Sequence, residues 1–407
     1  MKDFLKNSST VGLWTRLKLK RRVAAVLARA HFFGNPSAKL KIVGVTGTNG
    51  KTTTATLLYR ITTALGYKAG LISTVENIIN GEIIATKDNR PIPGTTPDSL
   101  TLHRLLNKMA KENCEYVFME VSSHALDQDR VAGINFVGGI FTNLTHDHLD
   151  YHKNFENYFG AKKKFFKMLS PNAFALSNTD NEYGARMLEG IKAKKYTYGF
   201  KHEADFSEKL ETKLIGDFNV YNALAVYATL VLLGMDKEKI KEQLKNILPP
   251  KGRFDYFKSP SGVTVIVDYA HTPDALENVL KTAQGIKKEG AKLISVFGCG
   301  GDRDPMKRKI MGKLGATLSD VAILTSDNPR SEDPDKIIEQ MREGLSLKDF
   351  KKVKTIANRR EAIVESVKLA QSGDIILCAG KGHEDYQEIK GVRHHFDDME
   401  EYKKLLI

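Results

Sequence analysis

Several things are scarce in this chain of 407 residues, and each scarcity removes a class of protein. It has three cysteines, Cys114, Cys299 and Cys378, which lie far apart and form no metal or disulfide pattern. That fits a reducing cytosol. No apolar run approaches the ~18 residues that a membrane helix requires. The apolar stretch Val23–Ala28 near the start is short and is interrupted by Arg29, so a secretory leader is not expected. There is no low-complexity tract and no internal repeat, and no aromatic-interleaved RNA-binding motif accompanies the basic residues.

What is present is the composition of a globular protein, 41% hydrophobic and 27% charged, in a chain long enough for two or three domains, each with its own core. The net charge of +13 comes from 62 Lys+Arg against 49 Asp+Glu. Much of the surplus is spread over helical faces such as Lys162-Lys163-Lys164 and Lys351-Lys352, which read as solvated basic surfaces. A basic background with anionic ligands accounts for it better than nucleic acid does. The chain is therefore expected to be cytoplasmic, with small-molecule substrates and no nucleic-acid partner.

Short β-branched runs alternate with helical segments almost throughout, which predicts an α/β protein with mostly parallel sheets. Strands are expected at Lys41–Gly44, Tyr116–Glu120, Gly139–Asn143, Val263–Asp268, Leu293–Phe297, Val321–Thr325 and Asp374–Cys378. The stretch Pro249-Pro250-Lys251-Gly252 follows two helical patterns and precedes a fresh set of strand–helix units, so a domain boundary is expected there. Residues 1–40 stand apart, with nine Lys/Arg and only Asp3 as an acid. The expected division is a basic extension over 1–40, a central nucleotide-binding domain over 41–248, and a Rossmann-like C-terminal domain over 249–407.

The first chemical signal is Ile42-Val43-Gly44-Val45-Thr46-Gly47-Thr48-Asn49-Gly50-Lys51-Thr52-Thr53, which reads as strand, glycine-rich turn and helix. Glycines let backbone N–H groups face phosphates, a helix N-terminus adds positive potential, and Lys51 neutralises the β- and γ-phosphates. Thr52 offers a hydroxyl to Mg²⁺. The strict Walker spacing wants glycine where this chain has Val45. Alone, the motif says nucleotide binding and not which reaction.

Gly47-Thr48-Asn49-Gly50-Lys51-Thr52-Thr53 resembles the form used by Mur ligases and folylpolyglutamate synthetases. Three further segments match in order: Glu120-Val-Ser-Ser-His124, Asn143-Leu-Thr-His-Asp-His-Leu-Asp-Tyr-His152 and Gly216-Asp-Phe-Asn-Val-Tyr-Asn222. The resemblance runs from about residue 41 to the C-terminus and points to the Mur ligase family. It implies an ATP- and Mg²⁺-dependent acid–amino-acid ligase that works through an acyl phosphate. Within it, Glu120 and His148 hold magnesium near Thr52, and Lys162, fourteen residues after His148, is carbamylated; the neighbouring lysines leave its register open. Arg253, in Lys-Gly-Arg-Phe-Asp, resembles the arginine that reaches the nucleotide phosphates. Asn222, Asp268 and His271 match positions near the adenosine.

Gly298-Cys-Gly-Gly-Asp-Arg303-Asp, Asp327-Asn328-Pro-Arg330 and Gly380-Lys-Gly-His-Glu384 all follow predicted strands and so gather at one sheet edge. Each alone is also a plausible turn. Together they resemble the amino-acid site of the Mur member that adds the third peptide residue, and Asp-Asn-Pro-Arg marks enzymes taking meso-diaminopimelate. Arg330 suits its distal carboxylate through a paired guanidinium contact, with Arg303 on the other carboxylate and Glu384 with the Gly380 carbonyl receiving an ammonium. Thr95, Thr96, Ser122, Gln128 and Arg130 match positions that hold the muramoyl-peptide. The blander reading is helix capping for the Thr95-Thr96-Pro97-Asp98 group and surface polarity for the rest.

The departure from the family is at the start. Full-length members carry a separate UDP-binding domain before the phosphate loop, whereas here residues 1–40 precede it, so uridine recognition is not carried over. The segment Trp14–Phe33 reads as a basic amphipathic helix that packs on the body or, as the sharper alternative, contacts a membrane surface or a pyrophosphate. Two other readings stand beside the main one: a related ligase with a different or lipid-linked acceptor, and a non-catalytic ATP-binding partner subunit. A monomer is expected.

Overall fold

The computed structural model describes residues 34–85, 92 and 94–407; the amphipathic segment Trp14–Phe33 lies outside them. No helix among the described residues is long and apolar enough to cross a membrane. The chain divides into two compact units. One comprises the described residues up to Lys213 with Asn219–Ile247, the other Leu214–Phe218 with Leu248–Ile407.

The first unit is built on eight strands: β1 (Lys41–Thr46), β2 (Ala69–Ile72), β3 (Asn77–Ile79), β4 (Glu82–Ile83), β5 (Tyr116–Glu120), β6 (Phe136–Phe141), β7 (Phe174–Asn178) and β8 (Lys194–Tyr198). Their order is β4-β3-β2-β5-β1-β6-β7-β8. All pairs from β2 to β8 are parallel, and only the short β3 and β4 run antiparallel. Parallel strands need both faces covered, and β1, β5 and β6 are accordingly apolar along almost their whole length. Because β5, β1 and β6 are adjacent and parallel, the loops leaving their C-terminal ends open at one edge, where ligands bind in open α/β sheets. Helix Phe155–Met168 packs Tyr158, Lys162, Phe165 and Phe166 inward, a spacing that keeps all four on one face.

The second unit holds β9 (Asp255–Lys258), β10 (Thr264–Asp268), β11 (Leu293–Phe297), β12 (Val321–Leu324), β13 (Val353–Thr355) and β14 (Ile375–Ala379), in the order β13-β12-β11-β14-β10-β9. Only β9 is antiparallel to its neighbour. Side chains alternate between two cores, as strand geometry requires. Ile266, Phe297, Leu324 and Leu377 pack on one face, and Val265, Val296, Ile323 and Ile376 on the other. A hairpin of β15 (Tyr386–Ile389) and β16 (Val392–His395) stands outside this sheet.

Candidate active site

The phosphate loop follows β1 and ends in Gly50, the left-handed N-cap of helix Lys51–Ala64. It is fastened to the segment after β6. The Thr48 and Asn49 backbone N–H groups donate to the Asn143 carbonyl (2.8 Å) and to Asn143 Oδ1 (2.8 Å), and Thr142 Oγ1 donates to the Asn49 carbonyl at 2.6 Å. Lys51 Nζ lies back over the loop, donating to the carbonyls of Gly47 (3.0 Å) and Thr48 (2.7 Å). Thr52 and Thr53 are buried in the first helical turn. Asn222 reaches the same place from helix Asp217–Leu232, where its Oδ1 accepts from Thr54 Oγ1 at 3.4 Å.

Gly47 has no room for a side chain. A Cβ there would lie 1.8 Å from Thr142 Oγ1 and 3.1 Å from the Asn143 backbone. Gly47→Ala is therefore expected to push the loop off residues 142–143 and weaken nucleotide binding by about tenfold or more, about 1.4 kcal/mol. Calorimetric titration with ADP reads this directly; unchanged affinity would show that the loop tolerates the shift.

Glu120 ends β5 at the level of Val45 on the neighbouring strand. Its side chain is 0% exposed. Oε1 accepts from the Thr74 backbone N–H at 2.7 Å, while Oε2 is buried with no hydrogen-bond partner. A buried carboxylate oxygen left in that state calls for a cation. His148 is held in a left-handed conformation beside Asp147 and Tyr158. Burial holds its imidazole well below the usual range; Asp147 opposes this, while His124, Lys51 and Lys162 add to it. The ring is thus neutral at pH 7 and keeps a nitrogen lone pair. Among the described residues no three His, Cys, Asp or Glu side chains converge as a metal centre. A carboxylate oxygen, a threonine hydroxyl and a neutral imidazole suit an ion that takes most of its ligands from phosphate and water.

The three consecutive lysines part company. Lys162 is 1% exposed, with its ammonium 4.5 Å from the centre of the Tyr158 ring and donating to the Gly47 carbonyl at 2.7 Å. Lys163 instead donates to the Arg186 carbonyl, and Lys164 to Asp129 and the Leu126 carbonyl. The solvated face expected from composition is thus corrected at Lys162, which the helical period places on the buried side. Burial, reinforced by the Lys51 charge and opposed by Asp147, pushes the Lys162 amine well below the usual ammonium range.

Beside Glu120 the structure gathers the residues matched to the acceptor. Thr96 Oγ1 donates to the Glu120 carbonyl (2.9 Å) and accepts from the Ser122 backbone N–H (3.0 Å). Thr95 Oγ1 accepts from Thr74 Oγ1 at 3.1 Å. Arg130 donates to the Thr96 carbonyl (2.8 Å) and, through Nε and Nη2, to Gln128 Oε1. Asp98 does what capping chemistry predicts: it accepts from Leu100 and Thr101 N–H at the start of helix Ser99–Lys111. Sequence reasoning missed Thr74, which orients Glu120, and Tyr158, whose hydroxyl sits 3.1 Å from Thr48 Oγ1. Only its place four residues before Lys162 could have flagged Tyr158.

In the second unit, Arg253 stacks 4.4 Å from the centre of the Tyr269 ring. Asp268 ends β10 and accepts from the backbone N–H groups of Phe254 (2.6 Å) and Ala270 (2.8 Å), which fixes the turn around Arg253. Burial pushes its carboxyl up to about 6, against Arg253 and these two donors. His271 Nδ1 lies 2.8 Å from the Tyr269 carbonyl.

The loops after β11, β12 and β14 meet as their parallel strands require. Asn328 Nδ2 donates to Glu384 Oε2 at 2.7 Å, and its Oδ1 accepts from the Glu388 N–H at 2.8 Å. Gly380, at φ 114°, lets the chain pass Asp327, whose Oδ2 would lie 2.4 Å from a Cβ there. Arg330 Nη1 donates to the Gly301 carbonyl at 2.6 Å, while Arg303 is exposed on the same glycine loop. Burial, with Asp327 alongside, pushes the Glu384 carboxyl above its usual range, against Lys381, Asn328 and Arg330. Arg308, unforeseen from the sequence, makes a paired contact with Glu332 (2.7 and 2.8 Å) and donates to the Gly300 carbonyl at 3.3 Å. It supports the loop that Arg330 touches.

Comparison with known proteins accords with this geometry. Residues 45–230 match the Mur ligase middle domain, and residues 252–382 the Mur ligase, glutamate ligase domain. The chain is 52% identical over 395 residues to the UDP-N-acetylmuramoyl-L-alanyl-D-glutamate–2,6-diaminopimelate ligase of Bacteroides fragilis, covering 93% of this chain and 80% of that protein. It is 42% identical to the protein of the same name from Clostridium botulinum, over 95% and 82% of the two chains. A solved structure of a ligase of that name superposes with a TM-score of 0.64 at 33% identity, over 96% of this chain and 82% of that one. Mycobacterium tuberculosis folylpolyglutamate synthase complexed with ADP superposes with a TM-score of 0.70 at 17% identity, over 90% and 94%, a likeness of fold alone. With both domain matches in chain order and more than half of the aligned residues shared with a Mur ligase, this chain belongs to the Mur ligase family.

Proposed function

We propose that this chain is the ATP-dependent ligase that joins meso-diaminopimelate to the D-glutamate carboxylate of a UDP-muramoyl-L-Ala-D-Glu, in peptidoglycan precursor synthesis. The observation that carries it is Asp327-Asn328-Pro329-Arg330, set against Glu384 and the Gly300–Gly301 turn, in a chain 52% identical to a ligase of that name. On this reading residues 41–248 carry the phosphate loop and the acceptor, and residues 249–407 carry the incoming amino acid and contribute Arg253, Asp268 and His271 to the nucleotide.

The chemistry follows from the side chains. Thr95, Thr96, Ser122, Gln128 and Arg130 hold the muramoyl-peptide with its carboxylate near Glu120. Gly47, Thr48, Asn49 and Gly50 cradle the ATP phosphates, with Thr53, Asn222, Asp268 and His271 on the remainder of the nucleotide. Lys51 leaves the loop carbonyls to meet the γ-phosphate, and Arg253 adds a second positive group. The carboxylate oxygen attacks the γ-phosphorus and ADP leaves. The amine of diaminopimelate then attacks the acyl carbon, phosphate departs, and the amide nitrogen loses its proton. Glu120, His148, Thr52 and a carbamate on Lys162 would hold Mg²⁺, which when bound neutralises phosphate charge. The Lys162 amine, held by burial well below the usual ammonium range, suits carbamate formation, in which its nitrogen bonds the carbon of CO₂ and a proton leaves.

Arg303 and Arg330 take the two carboxylates of diaminopimelate, and the Gly380 carbonyl with Glu384 takes an ammonium. Lysine lacks the distal carboxylate and would leave Arg330 facing an ammonium. Phosphate release from ATP with UDP-muramoyl-L-Ala-D-Glu is expected with meso-diaminopimelate and to be weaker by about 10⁴-fold with lysine. Equal rates with both amines would remove the substrate assignment, and silence with every amine would favour a non-catalytic ATP-binding subunit.

A further inference from the structure

Beneath the loops that carry Asp327 and Gly380 lies an ion pair with no part in the chemistry above. Arg359, the first residue of helix Arg359–Leu369, is 1% exposed, and Asp398, in the last helix Asp398–Leu406, is 0% exposed. Arg359 Nε and Nη2 donate to the two Asp398 oxygens at 2.8 and 2.7 Å. Two further contacts face backbone, Nη1 donating to the Ser326 carbonyl at 3.2 Å and Nη2 to the Ala379 carbonyl at 3.2 Å, and Nη2 also lies 3.3 Å from Cys378 Sγ. Ser326 immediately precedes Asp327, and Ala379 immediately precedes Gly380. The residues just before Arg359 grip the first of these loops too, since Ser326 N and Oγ donate to the Ala357 carbonyl at 3.3 and 2.6 Å.

Strand order gives this contact its meaning. β12 and β14 lie on opposite sides of β11, so they share no ladder directly, and their C-terminal ends are related only through Phe297 of β11. The guanidinium touches both ends from beneath, where the chain leaves the strands, while Asn328 ties the loops above it to Glu384 and Glu388. If stability alone were at stake, apolar side chains of similar volume would serve as well as a buried ion pair. They would not supply donors to two carbonyls, one just past the end of β12 and one at the end of β14.

We propose that Arg359, held by Asp398, is a positioning residue for the incoming amino acid, setting the spacing between the Asp327–Arg330 and Gly380–Glu384 loops. The proposal rests on reading those loops as the diaminopimelate site. It also makes the last helix of the chain part of that site's support.

Two variants separate positioning from bulk stability. Arg359→Met combined with Asp398→Leu removes both charges at similar volume. Arg359→Lys keeps a cation beside Asp398 but has too little reach and too few fixed donors for both carbonyls. Both are expected to fold, with KM for meso-diaminopimelate raised about tenfold or more and KM for ATP within about twofold of wild type. A merely structural role would lower the active fraction, and so kcat, at unchanged KM. A folded double variant with wild-type KM for the amino acid overturns the proposal. So does failure of both variants to fold, since the pair would then be a stability element. Wild type assayed alongside keeps the two readings apart: if it does not ligate diaminopimelate, the substrate reading falls, and the KM comparison is made with the amine it does take.

Discussion

Glu120→Gln is expected to lower turnover by about 10³-fold, about 4 kcal/mol of transition-state stabilisation, while leaving the protein as stable as before. The argument lies in the two oxygens of the side chain. Oε1 accepts from the Thr74 N–H, and a glutamine oxygen can keep that bond. Oε2 is buried and has no partner in the protein, so its charge contributes nothing to the fold that is evident from its surroundings. Burying an ionised group without a partner is costly, and neutralising it at constant volume should hold or raise the melting temperature. Activity and stability would then move apart, which general damage to the sheet would not produce. Phosphate release and a thermal melt on the same preparation check both halves. Turnover within about threefold of wild type would remove Glu120 from the chemistry.

The place of Glu120 was legible in the sequence because an apolar run ending in an acid reads as a buried strand with a functional end. The same held for β1, β11 and β14, whose expected bounds lie within two residues of those observed. The strands passed over had weaker signals for physical reasons. β2 is four residues long and contains a glycine, and β8 (Lys-Lys-Tyr-Thr-Tyr) lies at a sheet edge where one side stays polar. The antiparallel β9 alternates partly buried and exposed residues and looks like a loop beside the apolar parallel strands.

Side-chain fates were less legible than strands. Three lysines in a row carry no local mark that separates them, and only the helical period with Tyr158, Phe165 and Phe166 sends Lys162 inward. Arg308 and Arg359 each sit in the first turn of a helix, where a basic residue reads as surface charge; both are 1% exposed. Their partners, Glu332 and Asp398, lie 24 and 39 residues away, and pairing at that distance depends on strand order. What the motifs did carry was which loops share an edge, since every parallel strand delivers its C-terminal loop to the same side.

If Arg330 binds the distal carboxylate as proposed, Arg330→Ala is expected to reduce kcat/KM for meso-diaminopimelate by about 10³-fold, about 4 kcal/mol, with KM for ATP unchanged. The loop should survive the change because its backbone is held independently of the side chain. The Arg330 N–H donates to the Glu388 carbonyl at 3.0 Å, and its own carbonyl accepts from the Lys390 N–H at 2.7 Å. The side chain adds one bond, to the Gly301 carbonyl, and leaves the rest of its planar fork for a carboxylate. Arg330→Lys keeps the charge without the fork and should fall between alanine and wild type. The backbone supplies a further control, since Arg330 sits at φ 52°, a conformation that costs a non-glycine residue about 1–2 kcal/mol. Arg330→Gly relieves that strain, so it should lose as much activity as the alanine variant while melting at or above the wild-type temperature. Wild-type kcat/KM for diaminopimelate in either truncation would show that the distal carboxylate is bound elsewhere. A large fall in melting temperature in both would instead make Arg330 a structural residue of the hairpin contact.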